Sequence, residues 1–184
     1  VTVCGPLNVN KLGVTYVHEH LMVKPQLPDE YYIPYTLDDE AASTEETRSF
    51  SAAGGETVVE MTPINYGRNV KAYQRIAQAT GVHVICCTGF HKQLFMPPWF
   101  GDKTDGELYD ILMDEVTNGL DGTEIHPGVI KLGTSFEEVT AAEKRSIEAV
   151  ARVHRDTGIP ISTHCDKGTM GMDQLRLLEK HGVD

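Results

Sequence analysis

Five short runs rich in β-branched residues, at 13–20, 56–62, 82–88, 128–133 and 159–164, alternate with five stretches of helical periodicity. This alternation constrains the fold more than any other feature. The helical stretches lie at 37–53, 69–80, 105–118, 140–154 and 171–180. In the second, Val70, Tyr73, Ile76 and Ala77 share one face, and Gly81 suits a C-terminal cap. In the third, Leu108, Ile111, Leu112, Glu115 and Val116 form the inward stripe. Thr140-Ala-Ala-Glu143 reads as a capping box opening the fourth. The fifth carries Met172, Leu175 and Leu178 and stops near Gly182. Strand, helix, strand, repeated, predicts an α/β fold of parallel strands joined by right-handed crossovers.

Two parallel architectures compete. An open doubly wound sheet usually follows its first strand with a glycine-rich phosphate loop. Here the first run ends in His18-Glu19-His20. The longest irregular stretches, 22–36 and 90–103, both follow a strand, where α/β barrels build their sites. These features favour a (β/α)8 TIM barrel. Such a barrel needs eight units and about 250 residues. The 184 residues supply about the first five strand-helix units. We therefore expect residues 1–184 to form one incomplete barrel domain, with a sixth strand due after Asp184 and a start that precedes Val1.

The net charge of −11 argues against nucleic acid or an anionic membrane as partner and leaves a small-molecule substrate. No apolar run approaches the roughly 20 residues of a membrane span, and no secretory leader is visible. Cys4, Cys86, Cys87 and Cys165 show no CxxC pairing and read as small buried hydrophobes in a reducing compartment. A cytoplasmic location follows as the expectation.

Three segments carry chemistry. His18 and His20 sit two apart at the end of the first run, so in a strand both rings, with Tyr16, share one face. Two imidazoles on a rigid face can grip a first-row metal ion. Lys131 lies mid-strand in Gly128-Val-Ile-Lys131-Leu. A buried lysine is costly unless paired or neutral. A neutral amine can take up carbon dioxide to give a carbamate that bridges two metals; pairing with a carboxylate or snorkelling at a strand end are the alternatives. His164 ends the fifth run, 33 positions after Lys131, about one βαβ unit on.

These pieces together resemble the phosphotriesterase family of the amidohydrolase superfamily. The matching strings are Gly13-Val-Thr-Tyr-Val-His18-Glu-His20, Gly67-Arg68-Asn69, Cys87-Thr-Gly-Phe90, Gly128-Val-Ile-Lys131 and Pro160-Ile-Ser-Thr-His164. Thr169-Met-Gly-Met-Asp-Gln-Leu resembles the phosphotriesterase-homology and lactonase branch. The resemblance implies two divalent metal ions, zinc first with manganese or cobalt as substitutes. His18 and His20 would bind the more buried ion, the Lys131 carbamate would bridge both, and His164 would bind the second. It implies hydrolysis of lactones, including phosphorylated sugar lactones, by a hydroxide bridging the ions. A homodimer is common among such proteins. The family's sixth-strand histidine and eighth-strand aspartate have no counterpart here, so the 184-residue piece alone is expected to be inactive.

Other readings stay open: an organophosphate triester hydrolase, a barrel nuclease, and a non-catalytic metal-binding half-barrel. Phe90, His91, Lys92 and Trp99, in the loop after the third strand, are candidates for the substrate pocket, with packing over the barrel rim the alternative. Lys92 could meet an anionic group. Glu19 is read as a structural ion-pair partner, and Arg68 and Asn69 as fixing a loop and a helix start. Cys165 and Asp166 are weak candidates beside His164. His83, His126, His154 and His181 show no ligand spacing.

Overall fold

Each β-rich run forms a parallel strand, and each helical stretch carries the chain back to begin the next. The computed structural model describes residues 1–25 and 35–184. The strands are β1 (Thr15–Glu19), β2 (Thr57–Glu60), β3 (His83–Gly89), β4 (Val129–Thr134) and β5 (Ile161–Cys165). The helices are α1 (Glu40–Ala52), α2 (Val70–Thr80), α3 (Asp105–Asn118), α4 (Ala141–Thr157) and α5 (Gly171–Lys180). The strands pair in sequence order into one curled parallel sheet, an α/β half-barrel. Of the loop expected at 22–36, residues 26–34 lie outside the described residues. Among the described residues no helix is long and apolar enough to cross a membrane.

The sheet's two faces bury different things. On the outer face Val58, Val84 and Cys86 pack with Val70, Tyr73 and Ile76 of α2. Farther along, Ile130 and Leu132 pack with Leu108 and Leu112 of α3 and Ile147, Val150 and Val153 of α4. The inner face carries a smaller cluster of Val59, Met61, Cys87 and Val129. Adjacent Cys86 and Cys87 thus serve opposite layers, as strand alternation requires. The helix starts are chemically marked: Asn69 caps α2, and Thr104–Glu107 and Thr140–Glu143 form capping boxes on α3 and α4. Gly81, with φ of 77°, ends α2 in the left-handed conformation.

Contrary to the strict alternation expected of β1, Tyr16 does not share a face with His18. The β1–β2 register shifts between Tyr16 and Glu19, so three steps on β1 oppose two on β2. This bulge leaves Tyr16 on the helix side, its ring 4.4 Å from that of Phe50 on α1. Beyond it, Glu19 pairs with outward Glu60, and both His18 and His20 turn inward. A bulge beside a site re-aims side chains in this way.

Candidate metal centre

The four metal-ligand candidates gather on the inner face, His18, His20 and His164 at the C-terminal ends of their strands and Lys131 within β4. Lys131 follows Val129 by two positions and keeps its inward phase. The β4–β5 register sets Lys131 beside Ser162 and Gly133 beside His164, so His164 shares that phase. Lys131 Nζ lies 2.8 Å from His18 Nε2, and the His18 and His20 rings are 5.6 Å apart. Lys131 itself is fully buried. Its observed partner is an imidazole rather than a carboxylate, so burial draws its pKa down to about 8, against small opposing effects of Cys87 and Glu60. The amine is thereby brought toward its neutral, nucleophilic form.

The imidazoles are held neutral. Burial of its ring, then the charges of Lys131 and His164, lowers His18 to about 4; the same causes with His18 added lower His20 to about 3. His164 is lowered chiefly by burial. Its Nε2 is buried and, among the described residues, has no hydrogen-bond partner, Asp166 Oδ1 lying 3.9 Å away; a cation would relieve that state. Among the described residues no three His, Cys, Asp or Glu side chains converge as a ready cation cage. The residues fit a metal through the lysine: as an amine Lys131 offers one nitrogen beside His18, and a carbamate formed on it would offer two oxygens.

A ring chain lines the rim from β1 to β5. His20 meets Tyr66 at 5.4 Å, Tyr66 meets His91 at 4.6 Å, and His91 meets His164 at 4.6 Å. His91 therefore joins the site side, and its Nδ1 accepts from Lys92 N at 2.7 Å. Lys92 donates to Asp166 Oδ2 at 2.6 Å, tying the loop after β3 to the turn after β5. Asp166 is occupied as this latch, and Lys92 is committed to it. Phe90 and Trp99 are placed elsewhere: Phe90 is fully buried in the α3–α4 core, with Trp99 packed on that core. The strand phase explains it, since Phe90 follows inward Gly89 by one position. Glu19 accepts His20 N at 2.9 Å and, among the described residues, does not form the expected ion pair.

Gln174, Glu143, Thr62 and Glu60 organise the site without having been singled out in the sequence, whereas Arg68 braces a loop as expected. Buried Gln174 on α5 donates to His164 O at 2.8 Å and to Thr134 Oγ1 at 2.6 Å, fixing the end of β5. Buried Glu143 accepts Gln93 N and Ser135 Oγ, joining the loops after β3 and β4. Arg68 donates to Glu115, to Asp121 and to Cys87 O, bracing the outer side of β3. Thr62 and Glu60 stand behind His20. A charged residue in the apolar run Val58-Val59-Glu60-Met61 was the one visible signal for Glu60.

Comparison with known proteins places the chain clearly. The model of the phosphotriesterase family matches residues 1–184. The phosphotriesterase homology protein of Escherichia coli is 35% identical over 179 residues, covering 97% of this chain and 61% of its own length. A phospho-furanose lactonase of Mycoplasmopsis synoviae is 31% identical, covering 100% of this chain and 56% of its own. The crystal structure of a lactonase from Listeria monocytogenes superposes with a TM-score of 0.92 at 31% identity, over 99% of this chain and 61% of that one. The chain thus spans about 60% of the length of the relatives it matches.

Proposed function

The chain belongs to the phosphotriesterase family, and on that premise we propose that its protein is a binuclear metal-dependent hydrolase of lactones, phosphorylated sugar lactones included. The carrying observation is the fully buried Lys131 amine, 2.8 Å from His18 Nε2 and on the same inner face as His20 and His164. The lactonase names of the Listeria and Mycoplasmopsis relatives support the substrate class.

The chain's own residues do the following. The neutral Lys131 amine adds to carbon dioxide, forming an N–C bond and releasing one proton to water. The resulting carbamate is an anionic donor with two oxygens on a rigid central strand. His18 and His20 would present imidazoles from β1 to a divalent ion, and His164 would present its Nε2 from β5. Burial, the leading cause of their lowered pKa values, keeps these rings unprotonated, as metal binding requires. When bound, two divalent ions supply a water activated near neutral pH and a positive charge for the substrate carbonyl oxygen. Tyr66, His91 and the Lys92–Asp166 latch wall the rim where such a substrate approaches.

The test uses the full-length gene product, loaded with zinc or manganese in bicarbonate. Hydrolysis of γ- and δ-lactones, with and without a phosphate group, is compared with that of an aryl dialkyl phosphotriester. The reading predicts two metal equivalents and faster lactone opening. Tight metal binding with the phosphotriester as the better substrate would move the assignment to organophosphate hydrolysis; absence of bound metal would sink both.

A further inference from the structure

Behind His20 stands a short hydrogen-bonded relay. His20 Nδ1 is 2.8 Å from Thr62 Oγ1, and Thr62 Oγ1 is 2.6 Å from Glu60 Oε1. Glu60 is held on both oxygens: Oε1 accepts Thr62 N at 2.9 Å, and Oε2 accepts Leu21 N at 3.3 Å. Its carboxylate is fully buried, and these partners are N–H and O–H groups rather than a cation. The direct His20 Nδ1 to Glu60 Oε1 distance is 3.8 Å, so Thr62 is the intermediary.

We propose that Thr62 and Glu60 are positioning residues that lock His20 in the tautomer whose Nε2 lone pair is free for a divalent cation. A threonine hydroxyl has one proton. With both Glu60 oxygens arranged as acceptors, that proton goes to Oε1. Thr62 Oγ1 then faces His20 as an acceptor, so His20 carries its proton on Nδ1. A neutral imidazole has a single N–H, and Nε2 is left bare. The Tyr66 ring, edge-on at 5.4 Å, restricts rotation of the imidazole. The carboxylate also binds the N–H of Leu21, the residue after His20, so one buried group fixes both the tautomer and the backbone that aims the ring. Outer partners of this kind orient metal-ligating histidines generally. The inference rests on the metal reading of the site.

The experiment combines two readouts on the full-length gene product: 15N NMR of imidazole nitrogens in the metal-free state above neutral pH, and Zn2+ affinity by chelator competition. Wild type and Thr62→Ser should show His20 as the Nδ1–H tautomer and bind zinc alike. Thr62→Val, which keeps the shape and loses the hydroxyl, should show mixed tautomers and about 10–100-fold weaker zinc binding. A His20 Nε2–H tautomer in the wild type overturns the relay whatever zinc does, as does a Thr62→Val protein with unchanged tautomer and affinity. A wild type that shows Nδ1–H and binds no zinc overturns the metal reading instead.

Discussion

At the scale of single residues, the decisive group is a lysine where the fold has no structural need for one. Lys131 occupies a central strand position with zero exposure, a place where an aliphatic side chain serves packing better. Replacing it with Met should leave the metal-free protein at least as stable as wild type, because a desolvated amine is exchanged for an apolar chain of similar length. The same change should remove at least one of two zinc equivalents, read by elemental analysis. A destabilised Lys131→Met protein that still held two zinc ions would contradict the assigned role.

Proton linkage gives a second residue-scale prediction. His18 and His20, at about 4 and 3 instead of 6.5, bind fewer protons folded than unfolded as pH falls below 6.5. Their contribution to stability therefore declines as pH drops from 6.5 toward 4. Glu60, pushed by burial from 4.5 to about 7, binds more protons folded than unfolded in that window and offsets part of the decline. In metal-free Glu60→Gln the offset is gone. Its urea midpoint should therefore fall more steeply than wild type between pH 6.5 and 4.5; an equal or shallower slope would show that these groups do not carry the linkage.

At the scale of elements, tight registers hold the site. Gly89 ends β3 with φ of 105° beside Lys131. A Cβ added there would lie 2.0 Å from the Lys131 carbonyl oxygen. Gly89→Ala should therefore cost about 2 kcal/mol or more from backbone strain with the clash added. It should also disturb the metal site, both readable by denaturation and zinc titration. Arg68 joins the loop after β2 to α3 through Glu115, at 2.5 Å, and to β3 through Cys87 O. Its side chain is 1% exposed. Arg68→Met leaves Glu115 buried without its cation and should cost about 3–5 kcal/mol, with Thr88 keeping a single hydrogen bond to that carboxylate. Loss below 1 kcal/mol in denaturant unfolding would mean that the pair is not a brace.

The elements were legible because their signals are local: alternation, capping boxes and glycine stops sit within a few residues of what they determine. The bulge at β1 was not, since a register shift depends on what the partner strand offers. For the same reason Tyr16 was placed on the wrong face while His18 and His20 were placed on the right one. Of the two readings of Phe90, pocket wall or packing, the structure shows packing, because Phe90 lies one strand step off the inward phase of β3. The His20–Thr62–Glu60 relay and the Gln174 anchor join residues tens of positions apart or on different layers, and no spacing rule announces them.

At the scale of the whole of residues 1–184, the sheet is curled. Among the described residues β1 and β5 are its outer strands, and Tyr16 and Val17 at the β1 side are more than half exposed. Met172 and Leu175 leave an apolar stripe on α5 beside the other edge. Unpaired strand edges beside apolar surface promote association. Residues 1–184 prepared alone should therefore grow in mean mass with concentration in light scattering; a monodisperse monomer across the range would show that the edges are protected.

The proposed function turns on a carbamate-bridged metal centre formed by Lys131 with His18, His20 and His164. The most direct measurement is 13C NMR of the zinc-loaded full-length protein equilibrated with 13C-bicarbonate. One carbamate carbon signal is expected in the wild type and none in Lys131→Met. A wild type that holds zinc without that signal, or a signal that survives loss of Lys131, would contradict the carbamate bridge.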